Sequence, residues 1–119
     1  MTDYPEFYTR LQSLVGTLGK EAAGTLGGFS RMHQAAIGGG ALDAKTKELM
    51  SLAIGIAVHC DGCIAYHVHD SLAAGASREE IIETLGVAVM MGGGPGLMYA
   101  AEALAALEQF EKAAAPARS

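Results

Sequence analysis

Residues 48–69, ELMSLAIGIAVHCDGCIAYHVH, decide how this chain folds and hold both of its cysteines. The run from Leu49 to Val58 is apolar on every helical face, so it predicts a helix, about Ala44 to Val58, that is buried all round. Asp43, just before it, suits an N-cap. Asp61 carries a carboxylate of the kind favoured at a helix start, and Gly75 can take the left-handed conformation that closes a helix, so a second helix is expected between them. Twelve residues of continuous helix would leave Glu48 about 18 Å from Cys60. A turn at His59-Cys60 that packs the two helices antiparallel instead returns Glu48 toward His67.

Working outward, a first helix starts near Asp3 or Pro5 with Phe7, Leu11, Leu14, Val15 and Leu18 on one stripe, and is interrupted at Gly24 and Gly27-Gly28. A short helix, about Phe29 to Ile37, follows and ends at Gly38-Gly39-Gly40. Downstream, Ser77 and Glu80 form a capping box that opens a helix to about Met91. Gly92 to Gly96 breaks the chain there, and a last helix spans roughly Leu97 to Lys112 before a frayed tail at 114–119. The composition agrees: 22 Ala against eleven Val and Ile favours helix over sheet. With 119 residues there is room for a single domain, 1–119, and the expected fold is all-α with about six helices.

The formal charge of −5, with only 8 Lys and Arg and no basic run, argues against a nucleic-acid partner. The N-terminal residues form a charged amphipathic segment rather than a secretory signal. Ten apolar residues from Leu49 are too few to cross a bilayer, and the uncharged stretch 85–101 is broken by its glycines. A cytoplasmic protein without a membrane segment is expected. The apolar faces of the third, fifth and sixth helices need neighbours, which points to a closely packed oligomer.

The candidate chemistry lies at the start of the fourth helix. Cys60, Cys63 and His67 fall at i, i+3 and i+7, on one face. Cα atoms three residues apart on a helix are about 5 to 6 Å apart, within disulfide reach, so the pair can cycle between dithiol and disulfide with little backbone movement. The helix N-terminus stabilises a thiolate and favours Cys60, while Cys63 lies one turn from His67, a possible proton acceptor. Which cysteine attacks is left open. Glu48 can join His67 in a proton relay. The competing readings are a zinc site from Cys60, Cys63, His67 and His59, inert buried cysteines, and Glu48 as an ordinary acidic residue of a first helical turn. His69 faces away from the motif and His33 has no partner in sequence, so both are expected to be structural.

The pattern Glu48, eleven residues, Cys60-x-x-Cys63, three residues, His67 resembles the AhpD-like alkylhydroperoxidases of the carboxymuconolactone decarboxylase superfamily. The likeness runs on through His69 to Ile81 and Met91 to Pro95, and covers roughly residues 38–100. It implies an AhpD-like helical bundle that assembles as a homotrimer or homohexamer. It also implies a peroxiredoxin-type activity in which Cys60, Cys63, His67 and Glu48 reduce a hydroperoxide, no bound cofactor is needed, and an external dithiol or reductase partner restores the pair. The decarboxylase branch lacks the cysteine pair, so its lactone chemistry is the alternative import. One member of the peroxidase branch carries a histidine between its cysteines; this chain has Gly62 there and His59 just before Cys60.

Overall fold

In a computed structural model the protein is all helical, and the structure describes residues 1–118, with side chains described through Ala114. The helices are α1 (Tyr4–Glu21), α2 (Ala23–Ile37), α3 (Ala44–Ala57), α4 (Asp61–Ala73) and α5 (Arg78–Arg118). Each of the starts expected from a capping residue is capped. Asp3 Oδ1 accepts the Glu6 amide at 3.1 Å, and Asp43 Oδ1 accepts that of Thr46 at 2.8 Å. Ser77 and Glu80 bond reciprocally, at 2.8 and 3.1 Å, as a capping box requires.

α3 and α4 run antiparallel and pack on α5. Leu52 and Ile56 from α3, Ile64, Ala65 and Val68 from α4, and Ile81, Ala103, Ala106 and Leu107 from α5 are all fully buried. The alanines let α5 approach closely, and the leucine and isoleucines fill the space between layers. The N-terminus of α1 is fastened across this core. Tyr4 is buried; its amide donates to Gln109 Oε1 at 2.7 Å, and its hydroxyl donates to Glu102 Oε2 at 2.9 Å.

Four expectations need correction. The break between α1 and α2 falls at Ala22 (φ −127°, ψ 55°), and α2 runs straight through Gly24, Gly27 and Gly28. Interior glycine costs a helix only about 1 kcal/mol, which does not by itself end one. α3 is buried on one side only: Met50 and Ile54 are exposed, because apolar residues all round a helix do not specify which neighbour covers each face. The two helices expected downstream are one helix, α5, bent at Gly93, whose φ of 65° and ψ of −148° are not helical. Finally, α5 continues past Lys112 as helix to Arg118, through most of the tail expected to fray at 114–119, and Ser119 lies outside the described residues.

The bend has two causes that sequence alone hints at. Gly93 takes a backbone conformation closed to residues with a Cβ, and Pro95 opens the second arm where its missing N–H is harmless. Gly96 then passes so near the first arm that a Cβ would lie 3.1 Å from the Ala88 carbonyl oxygen. Residues 78–114 have the length and hydropathy of a bilayer-spanning helix, but the bend divides them into a first arm too short to span and a second arm that carries Glu102, Glu108, Glu111 and Lys112. Gly93→Ala should destabilise the protein by about 1–3 kcal/mol. Gly86→Ala, at a helical position with open space around the new methyl, should stabilise it by up to about 1 kcal/mol. Thermal unfolding of the two variants checks this, and equal midpoints would contradict it.

Candidate active site

α3 and α4 are joined by a tight turn built on backbone bonds. His59 N donates to the Ile56 carbonyl at 3.1 Å and Cys60 N to that of Gly55 at 3.0 Å, the pair of bonds that defines a Schellman closure. The left-handed position is taken by His59 (φ 62°), the only non-glycine residue with positive φ among the described residues. The same closure ends α4, where Gly75 N bonds Leu72 O and Ala76 N bonds Ser71 O, but there glycine holds the left-handed position (φ 94°). A side chain in that conformation costs roughly 1–2 kcal/mol.

The turn delivers Cys60 to the N-cap of α4. Its Sγ accepts the Cys63 amide at 3.0 Å, so sulfur occupies the place that a Ser or Asp oxygen usually fills. Cys60 and Cys63 are joined as a disulfide with Cα atoms 5.2 Å apart. Both are partly exposed. Behind them, Gly55 of α3 sits so close that a Cβ there would lie 2.8 Å from the Cys63 Cβ.

One turn deeper, the antiparallel packing brings Glu48 Oε1 to 3.0 Å from His67 Nδ1. Glu48 is one of two buried polar or charged residues among the described residues, 7% exposed, while His67 keeps partial access to solvent. Asp70, one turn beyond His67, completes a trio whose ligand-type atoms all lie within 4.8 Å of one another. The i, i+3 spacing of His67 and Asp70 was the sequence signal for this neighbour, although the sequence reading omitted it.

The zinc set considered above is not assembled: its thiols are bonded to each other, and the His59 ring stacks on Tyr99, with centroids 4.6 Å apart and planes 6° from parallel. The one group among the described residues spaced to hold a cation is Glu48, His67 and Asp70, which contains no thiol. His69 points away from the cysteines. It stacks on Tyr8 at 4.1 Å, packs edge-on against Phe110, and accepts or donates at 2.9 Å with Asp70. Tyr66 packs edge-on against Tyr8, a cluster that ties α1 to α4 and α5.

The sequence profile of the carboxymuconolactone decarboxylase family matches residues 23–106, which contain the whole of this site. The chain belongs to that family. It is similar to a crystal structure of a carboxymuconolactone decarboxylase family protein from Legionella pneumophila, with a TM-score of 0.86 and 47% identity over 90% of this chain and 96% of that one. A Thermotoga maritima family member, described with a suggested part in the antioxidative response, superposes with a TM-score of 0.67 at 38% identity, over 71% of this chain and 87% of that one. An uncharacterised protein of Cupriavidus necator is 36% identical over 87% of this chain and 92% of its own length. An uncharacterised protein of the Paracoccus denitrificans cox locus is 30% identical over 87% of this chain and 94% of its own.

In this member of the carboxymuconolactone decarboxylase family, the arrangement separates two chemical duties. The N-terminal amides of α4 stabilise negative charge on Cys60 sulfur. Where the Glu48 carboxylate accepts from His67 Nδ1–H, Nε2 is left free one helical turn from Cys63. Both depend on the α3–α4 spacing, so Gly55→Ala should be costly. The inserted methyl should destabilise the fold by about 1–3 kcal/mol and slow closure of the disulfide, read by thermal melts and by the rate of thiol loss under mild oxidation. A Gly55→Ala protein that melts and oxidises like the parent would contradict the packing argument.

Proposed function

We propose that this family member is a cytoplasmic thiol-dependent peroxidase that reduces hydroperoxides with its cysteine pair. The observation that carries the reading is the juxtaposition of a helix-capping Cys60-Cys63 pair with the buried Glu48–His67 hydrogen bond. One cysteine attacks as thiolate on the terminal oxygen of the hydroperoxide. The O–O bond breaks, the alkoxide leaves as alcohol with a proton relayed from His67, and the cysteine becomes a sulfenic acid. The second thiol condenses with that acid, releasing water and forming the disulfide. An external dithiol returns two electrons and two protons. The suggested antioxidative role of the Thermotoga relative supports this reading.

Cys60→Ser and Cys63→Ser should each abolish peroxide-dependent turnover. Glu48→Gln should slow it by about a hundredfold, within the range of lost acid–base assistance, with helix content retained in all three. One equivalent of hydroperoxide should remove two hydrogens from the peptide holding Cys60 and Cys63, read by mass spectrometry. Turnover that survives in both serine variants would reject the mechanism.

We propose also that the working form is a homotrimer or homohexamer. α2 has no buried residue and leaves Phe29 and Met32 exposed, while Met50 and Ile54 of α3 line an apolar groove of about 280 Å³ beside it. On α5, Met90 and Met91 are 73% and 76% exposed. Apolar side chains exposed to this extent favour association. Light scattering at micromolar concentration should give a multiple of the 12.2 kDa chain, and Met32→Lys should reduce it without loss of helix. A monomeric parent protein would overturn the proposal.

A further inference from the structure

The strained turn residue stacks on the wall of a cleft that the peroxidase cycle has not used. His59 holds the left-handed position that its twin closure gives to Gly75, and its ring lies flat on Tyr99. The other surroundings of Tyr99 form an open cleft of about 400 Å³, lined by Thr2, Tyr4, Asp61, Met98, Ala101 and Glu102 along with Tyr99 itself. Asp61 directly follows Cys60, and His59, whose ring stacks on Tyr99, directly precedes it, so the residues on both sides of Cys60 border this cleft. Its volume falls in the range of small-molecule sites.

The charged groups of the cleft are of one sign. Tyr4 donates to Glu102, and burial, that bond, and the charges of Glu102 and Asp61 push its phenol well above its ordinary range, so it stays neutral. Two carboxylates therefore face the cleft with no cation among its lining residues. Tyr99 and Met98 supply an apolar wall and rim.

We propose that this cleft seats the thiol that reopens the disulfide, and that Asp61 and Glu102 select neutral or cationic thiols over anionic ones. The inference rests on the dithiol reading above. The incoming thiolate attacks Cys60 Sγ; the Cys60–Cys63 bond breaks, and Cys63 leaves as a thiolate that takes a proton through His67. The second thiol of the reductant then attacks the mixed disulfide and releases Cys60. The reductant is thereby oxidised to its own disulfide and the protein gains two electrons. His59 is a positioning residue: it braces Tyr99 as the wall along which the reductant enters.

The test is single-turnover reduction of the oxidised protein by three small thiols of similar size: cysteamine, 2-mercaptoethanol and 3-mercaptopropionate, with rates normalised to thiolate concentration. At low ionic strength the cationic probe should outpace the anionic one by about tenfold, the scale expected of two surface charges. That spread should shrink at 1 M salt, where screening acts within about 3 Å. In the Asp61→Asn/Glu102→Gln protein, whose Gln still offers Tyr4 an acceptor, the ratio of anionic to neutral rates should rise about tenfold. His59→Gly should keep or raise the melting temperature yet slow reduction by all three probes several-fold. Equal rates for the three probes at low salt, a spread unmoved by the double substitution, or a His59→Gly protein reduced at the parental rate would overturn the assignment. Failure of the dithiol reading shows separately, as a cysteine pair that hydroperoxide does not oxidise, a step no reductant enters.

Discussion

The close antiparallel contact of α3 with α4 is the constraint on which the rest of the molecule depends. At its outer end Gly55 meets Cys63 with no room for a methyl group, and at its inner end Glu48 meets His67. Along the same helix Leu52 and Ile56 seal the interface against α5. A carboxylate this deep is expensive to desolvate, and a buried ion pair is commonly no more stable than a well-packed apolar pair of the same volume. The Glu48–His67 contact therefore adds little that Leu or Met could not supply to folding. What it does supply is an oriented imidazole one turn from a sulfur, which an apolar pair cannot.

The parts of this design that were legible in the sequence are those encoded over a few residues. Asp3, Asp43 and the Ser77–Glu80 box announce helix starts because a cap is a local bond, and the spacing of Cys60, Cys63 and His67 places all three on one face because helical geometry is periodic. Glu48 was legible once a turn at His59 was assumed. The cleft was not. Tyr4 and Glu102 are separated by 98 residues, and nothing in either neighbourhood says that α1 begins against the second arm of α5. The same limit hid the exposed side of α3, since its apolar periodicity reports unsuitability for water and leaves the identity of the covering surface unspecified.

Glycine shows the difference between composition and position. Three glycines in α2 change nothing about its helix, whereas Gly93 bends α5 and Gly96 lets the second arm pass the Ala88 carbonyl. At the two Schellman closures the contrast is sharper. Gly75 ends α4 without strain, and His59 ends α3 with a side chain in a conformation that glycine holds at no cost. Strain of this kind persists where surrounding contacts fix it, and here the contacts are the two backbone bonds of the closure and the Tyr99 ring.

Placing the disulfide at a helix cap also separates redox change from folding. A bridge across three residues removes little freedom from the unfolded chain, roughly 2 kcal/mol against nearly 5 for a loop of a hundred residues. The cap does not depend on the bridge, because the same Cys60 sulfur that accepts the Cys63 amide is available as a thiol, and a thiolate is a stronger acceptor than a disulfide sulfur. The core of Leu52, Ile64, Val68, Ile81 and Leu107 lies outside the bridged loop except for the cap it shares with α4. Oxidation and reduction can therefore alternate at the surface of α4 while the interface with α3, and with it the Glu48–His67 contact, stays in place.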